Sequence, residues 1–169
     1  MIELKGLPGS TEKYVRLLDF CMEILGICHD LGISPVLSGS LAVFAYTGRS
    51  DINVNDVDLA CSETQFPEII HILEERSIQY HLKAWHVLQI IRDDLKVDLD
   101  SLEYWYRDLP MHYEILLIGD YKVNLLDLES LKTCYRRGME NTVDKTEEIE
   151  QAKFKQLKAK YEALEKVET

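Results

Sequence analysis

The stretch VLSGSLAVFAYTGRSDINVNDVDLAC, Val36 to Cys61, decides how the rest of the chain is read. It opens with the short apolar run Val36-Leu37, breaks at Ser38-Gly39-Ser40 and resumes as Leu41-Ala42-Val43-Phe44-Ala45-Tyr46, which predicts a strand, a tight turn and a short buried helix. Thr47 to Asn53 is polar and turn-rich and reads as loop. From Val54 to Cys61 polar and apolar residues alternate, with Asp56 and Asp58 opposite Val57 and Leu59, so a strand is predicted. Two carboxylates at i and i+2 of a strand share one face. Like charges that close are costly unless a cation lies between them, and hard oxygen donors suit Mg2+, which takes one or two protein carboxylates and fills its shell with water and phosphate oxygens.

Upstream, Tyr14, Leu17, Leu18, Cys21, Leu25, Cys28 and Leu31 follow helical spacing from a cap at Ser10 to a stop at Gly32. Downstream, Ser62 or Thr64 is placed to cap a helix with Pro67 in its first turn and Phe66, Ile69, Ile70 and Leu73 on one face, ending near Arg76. The runs around Tyr80-His81-Leu82, Val87 to Ile91 and Leu95 to Leu99 predict an antiparallel meander. Gly119-Asp120 between Ile115–Ile118 and Tyr121–Leu125 is a two-residue hairpin signal, and Asp127 is placed to cap the next helix. Phe154, Leu157, Tyr161 and Leu164 stripe a charged C-terminal helix. The expected architecture is α/β (α+β), a mixed, largely antiparallel sheet flanked by helices. One catalytic-type domain over residues 1–140 is expected, with the helix of 141–169 packed on it or extending from it.

Composition narrows the function. The 169 residues carry a formal net charge of −11, which opposes a broad grip on nucleic acid. No stretch reaches the roughly 20 apolar residues of a bilayer span and the N-terminus lacks a secretory pattern, so a cytoplasmic location without membrane partners is expected. Cys21, Cys28, Cys61 and Cys134 contain no C-x-x-C pair and read as reduced core residues. The five histidines, His29, His71, His81, His86 and His112, show no metal-ligand spacing.

The chemistry-bearing pieces are Gly39-Ser40, Asp56-Val57-Asp58 and the acidic strand Lys96-Val97-Asp98-Leu99-Asp100. A residue without Cβ at a strand-to-helix turn lets a phosphate reach the amides at the helix start, and a serine beside it can donate to a phosphate oxygen. Asp98 has the buried-strand setting of Asp56 and Asp58, and Asp100, on the same face, is the second choice for the third carboxylate. Arg49 is a loop cation within reach of a phosphate or acceptor, although a lone loop Arg is usually just solvated. The triplet Asp51-Ile52-Asn53 is set aside as loop, and Lys132, Arg136 and Arg137 read as charges complementing a helix C-terminus. Trp85, Trp105, Tyr104 and Tyr106 could stack a base or an aromatic acceptor, but packing is the commoner use of such rings.

In this order and context the pieces resemble the nucleotidyltransferase superfamily related to DNA polymerase beta, in particular its small single-domain members. Leu37-Ser38-Gly39-Ser40-Leu41-Ala42 is similar to the family's strand, Gly-Ser turn and helix. Asn55-Asp56-Val57-Asp58-Leu59 is similar to its Asp-x-Asp strand, Lys96-Val97-Asp98-Leu99 to its third acidic strand, and Val123 to Gly138 to its closing strand and helix. The resemblance implies transfer of a nucleoside monophosphate from an NTP to a hydroxyl of a small molecule or protein. It also implies Gly39 and Ser40 at the triphosphate, two Mg2+ ions bridged by Asp56 and Asp58, and Asp98 at the metal nearest the acceptor, helping to remove its proton. A catalytically inactive binding or regulatory module on the same fold is the alternative.

Overall fold

The computed structural model describes residues 1–4, 11–109, 111–142 and 147–167. The first helix, α1 (Glu12–Asp30), buries Leu17, Phe20, Cys21, Ile24, Leu25 and Cys28 at helical spacing. Fully burying each large apolar side chain contributes about 1.5–3 kcal/mol. Its cap is Thr11, whose hydroxyl accepts from the Tyr14 amide; the expected cap Ser10 lies outside the described residues.

The chain then lays down β2 (Val36–Ser38), α2 (Gly39–Thr47), β3 (Val57–Cys61) and α3 (Phe66–Glu75), with the short β1 (Ile2–Glu3) ahead of them at the N-terminus. The meander follows as β4 (Gln79–Lys83), β5 (Val87–Arg92) and β6 (Leu95–Ser101), then the single turn α4 (Leu102–Trp105). The hairpin β7 (Tyr113–Ile118) and β8 (Tyr121–Leu126) leads into α5 (Leu128–Glu140), and α6 (Glu148–Glu165) completes the fold. Among the described residues one sheet runs β1-β7-β8-β2-β3-β6-β5-β4. Four of its seven neighbouring pairs are antiparallel, while β1–β7, β8–β2 and β3–β6 are parallel. The fold is therefore the expected mixed α/β arrangement.

Several boundaries differ from the pattern. The strand expected from Val54 begins only at Val57, so Asp56 occupies a bend at its mouth. The helix expected after the Gly-Ser turn already includes Gly39. Ser62 and Thr64 do not cap α3: Ser62 precedes a 3-10 turn at Glu63–Gln65, and its hydroxyl joins Thr64 and the Glu103 carboxylate instead. Two short elements, β1 and α4, are too brief to leave a periodic signal. Cys21, Cys28 and Cys61 are buried and Cys134 half-buried, all as free thiols, and no helix among the described residues is long and apolar enough to cross a membrane.

Two features position the site. In β6 the odd residues Leu95, Val97, Leu99 and Ser101 are buried, which turns Lys96, Asp98 and Asp100 together to the more open face. Helix α6 packs on α5 and α2, bringing the last helix over the Gly-Ser turn.

Candidate active site

Gly39 is the pivot of the site. It starts α2 with φ +70, a left-handed conformation that only glycine adopts cheaply, and a Cβ built there would overlap Oδ2 of Asp58. The glycine thus has a second use besides opening the helix start: it lets the Asp58 carboxylate lie against the turn. The pairing of β2 with β3 sets Ser38 opposite Asp58, the parallel pairing of β3 with β6 sets Asp58 opposite Asp98, and the antiparallel partner of Asp98 is Gln89. One row across four strands therefore reads Ser38, Asp58, Asp98, Gln89. Asp100 lies two residues beyond Asp98 on the same face, and Asp56 stands at the mouth of β3.

The carboxylates feel each other. Burial, then the Asp98 and Asp56 charges, push the Asp58 carboxyl up to about 7, with Lys160 pulling the other way. Burial, then Asp58 and Asp98, push Asp100 up to about 8. Asp98 is raised as well, by burial and by Asp56, although the Gln89 amide donates to its Oδ1 at 3.1 Å and favours the charged form. Among the described residues no three His, Cys, Asp or Glu side chains are drawn together tightly enough to hold an ion between them as they stand. The donor set itself fits Mg2+: oxygen ligands only, no thiol or imidazole, and mutual repulsion that a divalent cation would relieve with one or two carboxylates and phosphate oxygens.

Lys160, on α6, is a functional candidate that the motif reading missed. Its ammonium donates to Ser40 Oγ at 2.8 Å. Burial lowers its pKa and the Asp58 charge raises it, so the lysine sits between the turn and the acidic row. Because Lys160 donates, the Ser40 hydroxyl keeps its own proton, and it is hydrogen-bonded to the Tyr135 side chain as well. The signal was present in the helical spacing: Lys160 is three residues after Leu157 and four before Leu164, a cation placed on the apolar stripe. A cleft of about 380 Å3 opens here, lined by Ser40, Arg49, Asn55, Asp56, Asp58 and Lys160 among others.

The remaining candidates divide. Arg49 is tied to the neighbouring Asp51, Nε to Oδ1 at 2.9 Å and Nη2 to Oδ2 at 2.5 Å, so both groups of that loop satisfy each other. Lys132 pairs with Glu129 at 3.3 Å, and Arg136 lies over the Tyr161 ring and bonds Thr133. Tyr106 shares a 2.8 Å hydrogen bond with Ser38, and burial holds its hydroxyl protonated far above neutrality.

No protein-family model matches the chain, and no curated protein matches it by sequence. Solved structures do match by shape. The antibiotic-resistance factor ANT(2'')-Ia superposes with TM-score 0.59 at 15% identity, covering 89% of both chains; it has also been solved with adenylyl-2''-tobramycin. A Thermotoga maritima protein assigned provisionally to the nucleotidyltransferases gives TM-score 0.57 at 21% identity, over 85% of this chain and 96% of its own. The chain is a nucleotidyltransferase-fold domain. The lincosamide antibiotic adenylyltransferase LnuA, solved with lincomycin, shares the fold at TM-score 0.50 and 13% identity, over 83% of this chain and 96% of its own.

Proposed function

We propose that this nucleotidyltransferase-fold chain transfers a nucleoside monophosphate from an NTP to a hydroxyl acceptor. The observation that carries the reading is the close seat of Asp58 against Gly39. A Gly-Ser turn suited to phosphate and an acidic row share one surface, with Lys160 bonded to the turn and subject to the Asp58 charge. A solvated acidic face has no need of a glycine at φ +70 to admit a carboxylate.

In this reading the triphosphate lies in the cleft beside α2, where the first amides of the helix and the Ser40 hydroxyl donate to its oxygens and Lys160 offsets its charge. Asp56 and Asp58 would hold Mg2+, with Asp98 at the ion nearest the acceptor; the ions supply charge neutralisation on the attacking and leaving oxygens when bound. The acceptor oxygen forms a bond to the α-phosphorus as the bond from that phosphorus to the β-bridging oxygen breaks. Pyrophosphate leaves, and the hydroxyl proton passes towards the acidic row, where Asp98 is placed to help remove it. Positioning and charge neutralisation are most of what such transfer requires.

The test is calorimetry of NTP binding with and without Mg2+, on wild type and on the Asp56→Asn, Asp58→Asn double variant, with circular dichroism to show that the fold persists. Metal-dependent binding lost in the double variant is the expected result. Unchanged Mg-NTP affinity in a folded double variant would remove the assignment. Intact binding without transfer to any acceptor would favour a regulatory module on this fold.

A further inference from the structure

Both tryptophans of the chain, Trp85 and Trp105, line one cavity of about 430 Å3, together with Tyr106, Asp100, Arg137 and Lys153 among others. Both indoles are largely open, 54% and 45% exposed, in a protein whose other large rings are mostly covered. They are also fixed. The Trp105 indole N–H donates to the Trp85 carbonyl at 2.9 Å, and the Lys83 ammonium lies 5.3 Å from the centre of the Trp85 ring. The α4 turn that carries Trp105 is anchored in turn: Tyr104 stacks on His86 at 4.1 Å, and His86 pairs with Glu63 at 2.7 Å. Rigid, exposed aromatic faces beside a cavity of this size are what a small flat ligand requires.

The cavity leads to the acidic row. Asp100, Tyr106, Cys134 and Leu157 also line a smaller space of about 230 Å3 whose other walls include Ser38, Gly39 and Asp58. The nucleotide cleft lies on the far side of Asp58. A molecule seated against the indoles can therefore extend one end along the shared walls towards Asp58.

The cavity is also polarised. Asp100, which it shares with the smaller space, is its only acidic wall residue among the described residues. Arg137 of α5 and Lys153 of α6 supply the basic walls, and among the described residues neither is held in an ion pair. In a chain of net charge −11, two exposed cations at one cavity wall that no acid pairs among the described residues suit an anionic group.

We propose that this cavity is the acceptor site and that the acceptor is a small hydroxylated aromatic compound carrying an anionic group, its hydroxyl directed to the acidic row and its anion to Arg137 and Lys153. The inference rests on the nucleotidyl-transfer reading for the word acceptor, but the cavity's ligand chemistry stands on its own walls. A polycationic acceptor would meet Arg137 and Lys153 with like charge, so the site discriminates against that class.

Because the only two tryptophans line the cavity, intrinsic fluorescence reports on it directly. The probes are 4-hydroxyphenylacetate, its neutral alcohol analogue tyrosol and its cationic amine analogue tyramine, titrated into the full chain, with Mg-ATP calorimetry on the same sample. The expected result is saturable quenching in which the anion binds about tenfold more tightly than the alcohol and the amine more weakly still, as for a hydrogen bond made to a charged group. Arg137→Gln should remove most of the preference for the anion while leaving the alcohol within about twofold, and Lys153→Gln, on a different helix, repeats the test if Arg137→Gln does not fold. No quenching by any probe, or equal affinity for all three charges, overturns the proposal. Mg-ATP binding without probe binding sinks the acceptor site and spares the proposed function; probe binding without Mg-ATP binding overturns the function and with it the role as acceptor, leaving a binding cavity of the stated chemistry.

Discussion

Replacing Asp58 by Asn should stabilise the metal-free protein at and above neutral pH and leave it nearly unchanged in mild acid. The Asp58 carboxyl is lifted from 3.8 to about 7 in the folded chain. Between those values the folded state holds a proton that the unfolded chain has already released. Stability from this group is therefore full below about pH 4 and is lost as pH rises through 7. A shift of three units corresponds to a ceiling of about 4 kcal/mol. Asp98 and Asp56 share that repulsion and part of the group faces solvent, so about 2 kcal/mol is the expected effect. For a chain of this length that corresponds to a difference in Tm of roughly 4–8 °C. Melting both proteins in EDTA from pH 4.5 to 8.5 should give a gap that opens with pH, the Asn variant melting higher. Saturating Mg-NTP should reverse the order at pH 8, because a ligand at 100 times its Kd adds about 2.7 kcal/mol to the protein that binds it. Parallel curves in EDTA, or a gap that closes as pH rises, would refute the idea that the charged Asp58 is held at a cost, set first by burial and then by Asp98 and Asp56.

Gly39→Ala should lower Tm by an amount corresponding to about 1–3 kcal/mol, since a Cβ at φ +70 is strained and overlaps the Asp58 carboxylate; the double variant with Asp58→Gly should recover part of the loss, and purely additive melts would argue against that contact. Lys160→Met should weaken Mg-NTP binding about tenfold, as loss of a charge-assisted contact does, while circular dichroism stays unchanged; equal calorimetric affinity would remove the lysine from the nucleotide site. Asp127→Ala deletes the carboxylate that accepts from the Ser130 amide at 2.8 Å at the start of α5, and chemical denaturation should show a loss of about 1 kcal/mol with Mg-NTP affinity preserved.

The parts of the fold that announced themselves were those with a period or a cap. The alternation from Leu95 to Leu99 marked the strand, which runs on to Ser101, and the face that Asp98 and Asp100 share, and Gly119-Asp120 marked the hairpin. What stayed hidden was non-local. Nothing in the spacing shows that β6 lies parallel to β3 while its own meander is antiparallel, because register is set by which buried faces fit together and not by either strand alone. Asp56 looked like a strand residue because alternation carried on through Val54, although the bend before Val57 ends the pairing there. The acidic row was legible as residue types in order. Its cation was not, since Lys160 reaches Ser40 from a helix whose packing only the tertiary structure reveals. Trp85 and Trp105 were equally ambiguous: ring content alone does not tell a packed indole from a presented one.

The reach of Lys160 to Ser40 spans 120 residues of chain, and the row it serves is assembled from four strands, β2, β3, β6 and β5. Closing loops of that length costs entropy before any contact repays it, so the site belongs to the late, slow part of folding. During synthesis from the N-terminus the Gly-Ser turn and the acidic strands emerge well before α6. A nascent chain that ends anywhere short of that helix presents the crowded carboxylates without Lys160, and the cleft beside Ser40 has only part of its wall. Competence to bind would then arrive in one step, with the docking of the last helix, and cannot be collected piecemeal by fragments of the chain.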